Sequence, residues 1–145
     1  MDDRQIGKRI RIISNQIRRI IEKELSLRGT GISSTQSRII GYLYRETKNR
    51  DIFQKDIEEE FDIRRSSVTS ILQHLEKNGY ITRESVANDG RLKKLVLSEK
   101  GISIHEMVFQ VIQNTENNLN EDFSGEELDQ LLSLLDRVSK KLSSL

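Results

Sequence analysis

The chain has 145 residues, of which 32% are charged and 34% hydrophobic, with 24 Lys and Arg against 23 Asp and Glu. This is the length of one domain, and the balance fits a soluble, mainly helical protein with a large exposed surface. The absence of cysteine excludes disulfides, thiolate metal sites and thiol redox sensing, and no apolar run reaches the roughly 18–20 residues of a membrane span. The opening MDDRQIGKRI has no apolar signal core, so a cytoplasmic chain without a membrane partner is expected. Charge is unevenly spread. Residues 1–50 hold 12 Lys and Arg against 5 Asp and Glu, whereas residues 99–145 hold 4 against 9. A polyanion is therefore expected to meet the earlier part of the chain.

The first predicted element is a long helix over 5–28. Its stripe is Ile6, Ile10, Ile13, Ile17, Ile20 and Leu25, with Lys8, Arg9, Arg11, Arg18 and Arg19 on the reverse. Gly29 is placed to end it. Ser33 with Gln36 matches a capping box and opens a helix of about 33–48, with Ile39, Ile40, Leu43 and Tyr44 inward. Asp51 with Gln54 is expected to cap a short helix at 52–60 that buries Phe53, Ile57 and Phe61. A further helix over about 64–79 buries Val68, Ile71, Leu72 and Leu75, and Gly79 stops it.

Two short strand-like runs follow, 80–86 and 92–97, with Asn88-Asp89-Gly90 as turn chemistry between them. A two-stranded hairpin needs helices to pack against. Ser98 caps a helix of about 99–120 with Ile104, Met107, Val108, Val111 and Leu119 on its apolar side. Ser124 and Glu127 open a last helix to about 143, with Leu128, Leu131, Leu132, Leu135, Val138 and Leu142 in its stripe. The fold class is thus mainly α with a small β-hairpin wing. A single domain is expected, with a winged helix-turn-helix unit at 33–98 between long terminal helices. The terminal helices, 5–28 and 99–145, carry more apolar surface than that unit can cover, so a homodimer is expected. Ile10, Ile13, Ile17, Val111, Leu128, Leu131, Leu135 and Leu142 are its candidate interface.

The helix at 64–79 has an unusual polar face. Ser66, Thr69, Ser70 and Gln73 stand where a solvated face would carry Glu and Lys pairs, and Arg64 and Arg65 lead it, beside Ser67. Short hydroxyls let a helix backbone approach the major groove. Gln can pair adenine, and Arg can take guanine or a phosphate. The alternative is a plain solvated face. The hairpin tip adds Arg91, with Lys93 and Lys94 behind it, and a lone arginine on a protruding loop suits a narrow minor groove. Arg64 is a poor helix cap, so either Asp62 caps this helix or a phosphate satisfies its end in a complex.

The stretch 32–101 resembles the MarR family of winged helix-turn-helix transcription regulators. The resemblance lies in "QKDIEEEFDIRRSSVTSILQHLEKNGYITR" and, most specifically, in the wing pattern "DGRLKKLVLSEKG". It implies Arg91 as the minor-groove arginine, with Asp89 bracing it or Arg83. It implies Arg65, Ser66, Ser67, Thr69, Ser70 and Gln73 as the major-groove set, and Ser34 and Gln36 near phosphate. The implied partners are double-stranded DNA with a pseudo-palindromic operator, a second copy of the chain, and a small lipophilic or aromatic effector that releases a repressor. The competing reading is a winged helix used for protein contact without specific DNA binding.

No catalytic pattern is legible, so an enzyme is not expected, nor is a cofactor or metal. His74 and His105 lack cysteine companions, and Glu58-Glu59-Glu60 reads as a solvated face.

Overall fold

The computed structural model describes residues 3–145. Among these it has six helices and one antiparallel hairpin. They are α1 (Ile6–Leu27), α2 (Ser34–Glu46), α3 (Gln54–Phe61), α4 (Arg65–Lys77), β1 (Ile81–Val86), β2 (Asp89–Leu97), α5 (Glu99–Glu121) and α6 (Gly125–Ser143). The chain forms two compact units whose boundary falls inside α5, one ending at Val111 and the other spanning Ile112–Leu145.

The first unit has a continuous apolar core. Leu25 of α1, Ile39, Ile40 and Leu43 of α2, Ile57 of α3, and Val68, Leu72 and Leu75 of α4 join Ile81, Leu95, Ile104, Val108 and Val111. The capping box forms as expected: Ser33 Oγ accepts from the Gln36 N–H at 3.1 Å, and Gln36 Oε1 accepts from the Ser33 N–H at 3.0 Å. On α2 it is Tyr42, not Tyr44, that is buried, because Tyr42 meets the edge of Phe61 and its hydroxyl accepts from Arg50 at 2.8 Å. Tyr44 is half-buried and stacks on His105 with ring centroids 4.2 Å apart.

The expected cap at Asp51 is corrected. Ile52 lies outside the helix and is buried, and its carbonyl accepts from the Leu95 N–H at 2.7 Å, which ties this segment to the hairpin. Helix α3 therefore starts at Gln54, and Asp56 supports its end by accepting from the Phe53 N–H at 2.9 Å. Asp51 instead faces Lys94, at 3.8 Å.

The turn between α3 and α4 is three residues long. Asp62 takes the left-handed conformation, φ 49° and ψ 52°, and closes α3. It does not cap α4, which removes one of the two readings for that helix start. Arg64 is the N-cap residue and gives α4 no side-chain hydrogen bond. At the far end Gly79, φ +78°, lets the Tyr80 N–H reach the Leu75 carbonyl at 2.9 Å, as a helix stop requires.

The hairpin turns one residue earlier than expected. Ala87 and Asn88 form the turn and Val86 faces Asp89. The register then jumps, with Ser85 opposite Lys93, so Gly90, Arg91 and Leu92 bulge out of the ladder. Asp89 produces this shape: its carboxylate accepts from the Arg91 N–H at 2.9 Å, a local turn that competes with strand pairing. Ser98 caps α5 by accepting from the Gly101 N–H at 3.0 Å. A Cβ at Gly101 would stand 2.2 Å from the Tyr80 carbonyl oxygen, so glycine alone permits α5 to start against the hairpin base.

In the second unit, Ser124 and Glu127 form their capping box, with bonds of 3.2 and 3.0 Å. Those bonds hold the Glu127 carboxyl below its usual range. No residue of α6 is fully buried within the single chain.

Candidate nucleic-acid interface

Helix α4 presents Arg64, Arg65, Ser66, Ser67, Ser70 and Gln73 as exposed residues, while Val68, Leu72 and Leu75 anchor its other face in the core. The short α3–α4 turn fixes this orientation. Thr69 differs from its neighbours. It is half-buried, and its hydroxyl donates to the Arg65 carbonyl at 2.9 Å and accepts from Gln54 Nε2 at 2.8 Å. The hydroxyl is occupied within the protein. Gln36 has its carbonyl oxygen engaged in the α2 cap, which leaves its amide N–H groups as the donors that a phosphate could take. Ser34 is half-buried in the first turn of α2, and its carbonyl accepts from the Ser37 hydroxyl at 2.8 Å.

On the wing, Arg91 and Lys93 are exposed. Lys93 donates to the Ser85 hydroxyl across the hairpin. Asp89 does not brace Arg83. It holds the Arg91 backbone, and Arg83 pairs instead with Glu76 of α4 at 3.8 Å. A cleft between α3, the start of α4 and the wing gathers Lys55, Arg65, Arg83, Arg91 and Lys93 around Phe53 and Leu92, with Glu58 the single carboxylate on its wall. A cleft so lined attracts phosphate, and its two flanking elements are shaped for grooves. The contacts of Gln54 with Thr69 and of Glu76 with Arg83 were not legible in the sequence, because each joins two different elements.

Most of the candidate association residues are accessible. Ile10, Ile13, Leu131, Leu135 and Leu142 are exposed, and Ile17 and Leu128 are half-buried. Val111 is corrected: it is 2% exposed within the core of the first unit and has no surface to offer a partner. Phe109 and Ile112 are exposed apolar residues that the apolar stripe read from the sequence passed over, though their spacing from Ile102 signals a second face. Among the described residues no helix is long and apolar enough to cross a membrane, and no cluster of three or more His, Cys, Asp or Glu is arranged to hold a metal ion.

The model of the MarR family matches residues 30–92, the segment from the start of α2 to the wing tip. A curated relative, the HTH-type transcriptional regulator BilQ of Clostridioides difficile (strain CD3), is 28% identical over 94 residues. That match covers 65% of this chain and 64% of BilQ. The chain thus spans under two thirds of that relative's length. Among solved structures, Staphylococcus aureus MepR, a transcription regulator of the multidrug efflux pump MepA, superposes with a TM-score of 0.81 at 25% identity, covering 95% of this chain and 98% of MepR. A point mutant of S. aureus MepR bound to an oligodeoxyribonucleotide gives 0.68 at 25% identity over the same shares. The family match falls on the helix-turn-helix and wing whose geometry is given above, and the likeness in fold to MepR extends to the terminal helices.

Proposed function

We propose that this chain is a sequence-specific DNA-binding transcription regulator. It acts as a homodimer on a pseudo-palindromic operator, in the cytoplasm, as a repressor released by a small lipophilic or aromatic effector. The observation that carries the DNA reading is the exposed hydroxyl, amide and arginine face of α4 beside a wing cleft with five cations and one carboxylate. The names of the relatives support it: BilQ is a transcriptional regulator, and a MepR mutant is seen on an oligodeoxyribonucleotide. Dimer formation rests on the exposed Ile, Leu and Phe side chains of α1, α5 and α6. Repression and effector release are carried over from the family resemblance.

In the DNA-bound state, α4 lies in the major groove with Arg65, Ser66, Ser70 and Gln73 at base edges and phosphates. Arg91 lies in the flanking minor groove. Selection of bound sequences from random duplex DNA tests this. The expected result is a two-fold symmetric motif whose affinity falls with salt, since phosphate contacts release counterions. Binding without sequence preference would move the reading to a protein-contact module. Repeating the selection with aromatic and lipophilic compounds tests effector release.

A further inference from the structure

The helix-turn-helix contains a polar contact that the apolar core does not require. Gln54, the first residue of α3, reaches α4 across the turn. Its Nε2 lies 2.8 Å from Thr69 Oγ1 and 3.4 Å from the Arg65 carbonyl oxygen. Thr69 Oγ1 in turn donates to the same Arg65 carbonyl at 2.9 Å. Three groups thus close a triangle over the first turn of the helix. That turn also lacks a side-chain cap from Arg64, so little else local fixes its direction.

We propose that Gln54 is a positioning residue for DNA reading, holding the start of α4 through Thr69, and that the Thr69 hydroxyl works in this clamp and not at a base edge. The proposal rests on the DNA-binding reading above. A hydroxyl with its proton on a backbone carbonyl and a lone pair taken by an amide has little left for a base. Rotating it toward a groove would leave both Gln54 Nε2 and the Arg65 carbonyl without this partner. Gln54 also lines the cationic cleft, together with Lys55 and Arg65. A tilt of the first turn moves Arg65, Ser66 and Ser70 together. The clamp therefore governs several contacts at once, whereas a reading residue governs one.

The test is a double-mutant cycle with Gln54→Met, which keeps length without the donor, and Thr69→Val, which keeps shape without the hydroxyl. Each single change should weaken operator binding about three- to tenfold, spread over every base pair that α4 meets, and the double variant should be no weaker than the worse single. Thr69→Ser keeps the hydroxyl and should retain most of the affinity. A Thr69→Val loss that persists undiminished in the Gln54→Met background, confined to one base pair, would overturn the proposal. An arm without DNA separates this from failure of the DNA reading. In the free protein the Gln54 side-chain amide protons should exchange more slowly than those of exposed Gln73, and Thr69→Val should abolish the difference. Equal exchange in the wild-type chain overturns the clamp whatever the protein binds.

Discussion

Arg83, on the first strand of the wing, reaches back to Glu76 on α4, with Nε 3.8 Å from the carboxylate. The pair ties the angle of the hairpin to the helix that it accompanies. Both side chains are partly exposed, so the bond contributes only about 0–1 kcal/mol to stability. Glu76→Gln should leave the thermal midpoint within a few degrees of wild type. It should still reduce the preference for A·T-rich flanks, because Arg91 is carried on the same hairpin. Competition binding between operators with A·T-rich and G·C-rich flanks reads this out, and unchanged flank preference would show that the wing angle is fixed elsewhere.

The two reading elements should fail differently. Gln73→Ala removes a candidate base-edge contact and should relax preference at one position in each half-site, by about 1–3 kcal/mol if the contact is bidentate. Arg91→Ala should weaken all sites more evenly and flatten the salt dependence. Half-site centres are expected about one helical turn, ~10 bp, apart. Titrations of both variants at several salt concentrations check all three points.

Association should depend on the exposed leucines of α6. Leu131→Lys with Leu135→Lys places charge where a second copy would bury it, which is costly. Neither leucine is in the single-chain core, so helicity should persist while the mass by sedimentation falls from about twice 16.9 kDa to one chain. A wild-type chain that sediments as a monomer at micromolar concentration contradicts the dimer.

Acid should weaken the α2–α5 contact. Burial, reinforced by the nearby Arg45 and Lys48 and opposed by Glu106, holds the His105 imidazole below its ordinary value of 6.5. Above that value both folded and unfolded chains are neutral here. As pH falls below it the unfolded chain takes up the proton first, so stability is lost from about 6.5 down through the lowered native value. The thermal midpoint should therefore drop between about pH 7 and pH 5.5, and less steeply in His105→Gln. Parallel slopes in the two proteins would remove His105 from the account.

Capping can be tested at Ser33. Ser33→Ala leaves the Gln36 N–H without its acceptor and should cost about 0.5–2 kcal/mol in urea unfolding.

The elements that carry function were largely readable because their signals are local. Ser33 with Gln36, Ser124 with Glu127, Gly79 after a helix, and the apolar period of Val68, Leu72 and Leu75 each act within a few residues of themselves. What was misplaced depends on neighbours far along the chain. Ile52 looked like the start of a helix but lies outside it, where Leu95 supplies its hydrogen bond from 43 positions away. Val111 and Phe109 are both apolar residues of α5, and only packing shows that the first faces the core and the second does not. Asp62 and Asp89 were correctly seen as conformationally special. Asp62 makes a left-handed end for α3 where a cap for α4 was one expectation, and Asp89 turns onto Arg91, the first of its two expected neighbours, through the backbone. Thr69 shows the same limit at the candidate interface: its residue type suits a groove, and its hydrogen bonds belong to Gln54.

The bond from the Leu95 N–H to the Ile52 carbonyl makes the wing a cantilever. Its root is clamped at Ile81, Leu95 and Ile52, all of which are buried. From the Arg83–Leu95 pair to the Val86–Asp89 pair the free arm runs three residues of β1, about 10 Å at strand rise. Two strands with no third alongside bend more readily out of their plane than they shear within it. The tip can then rise and fall with the floor of a groove while its lateral aim stays fixed. Compliance is confined to the arm, so bending at Arg91 need not be transmitted through the root to the apolar core.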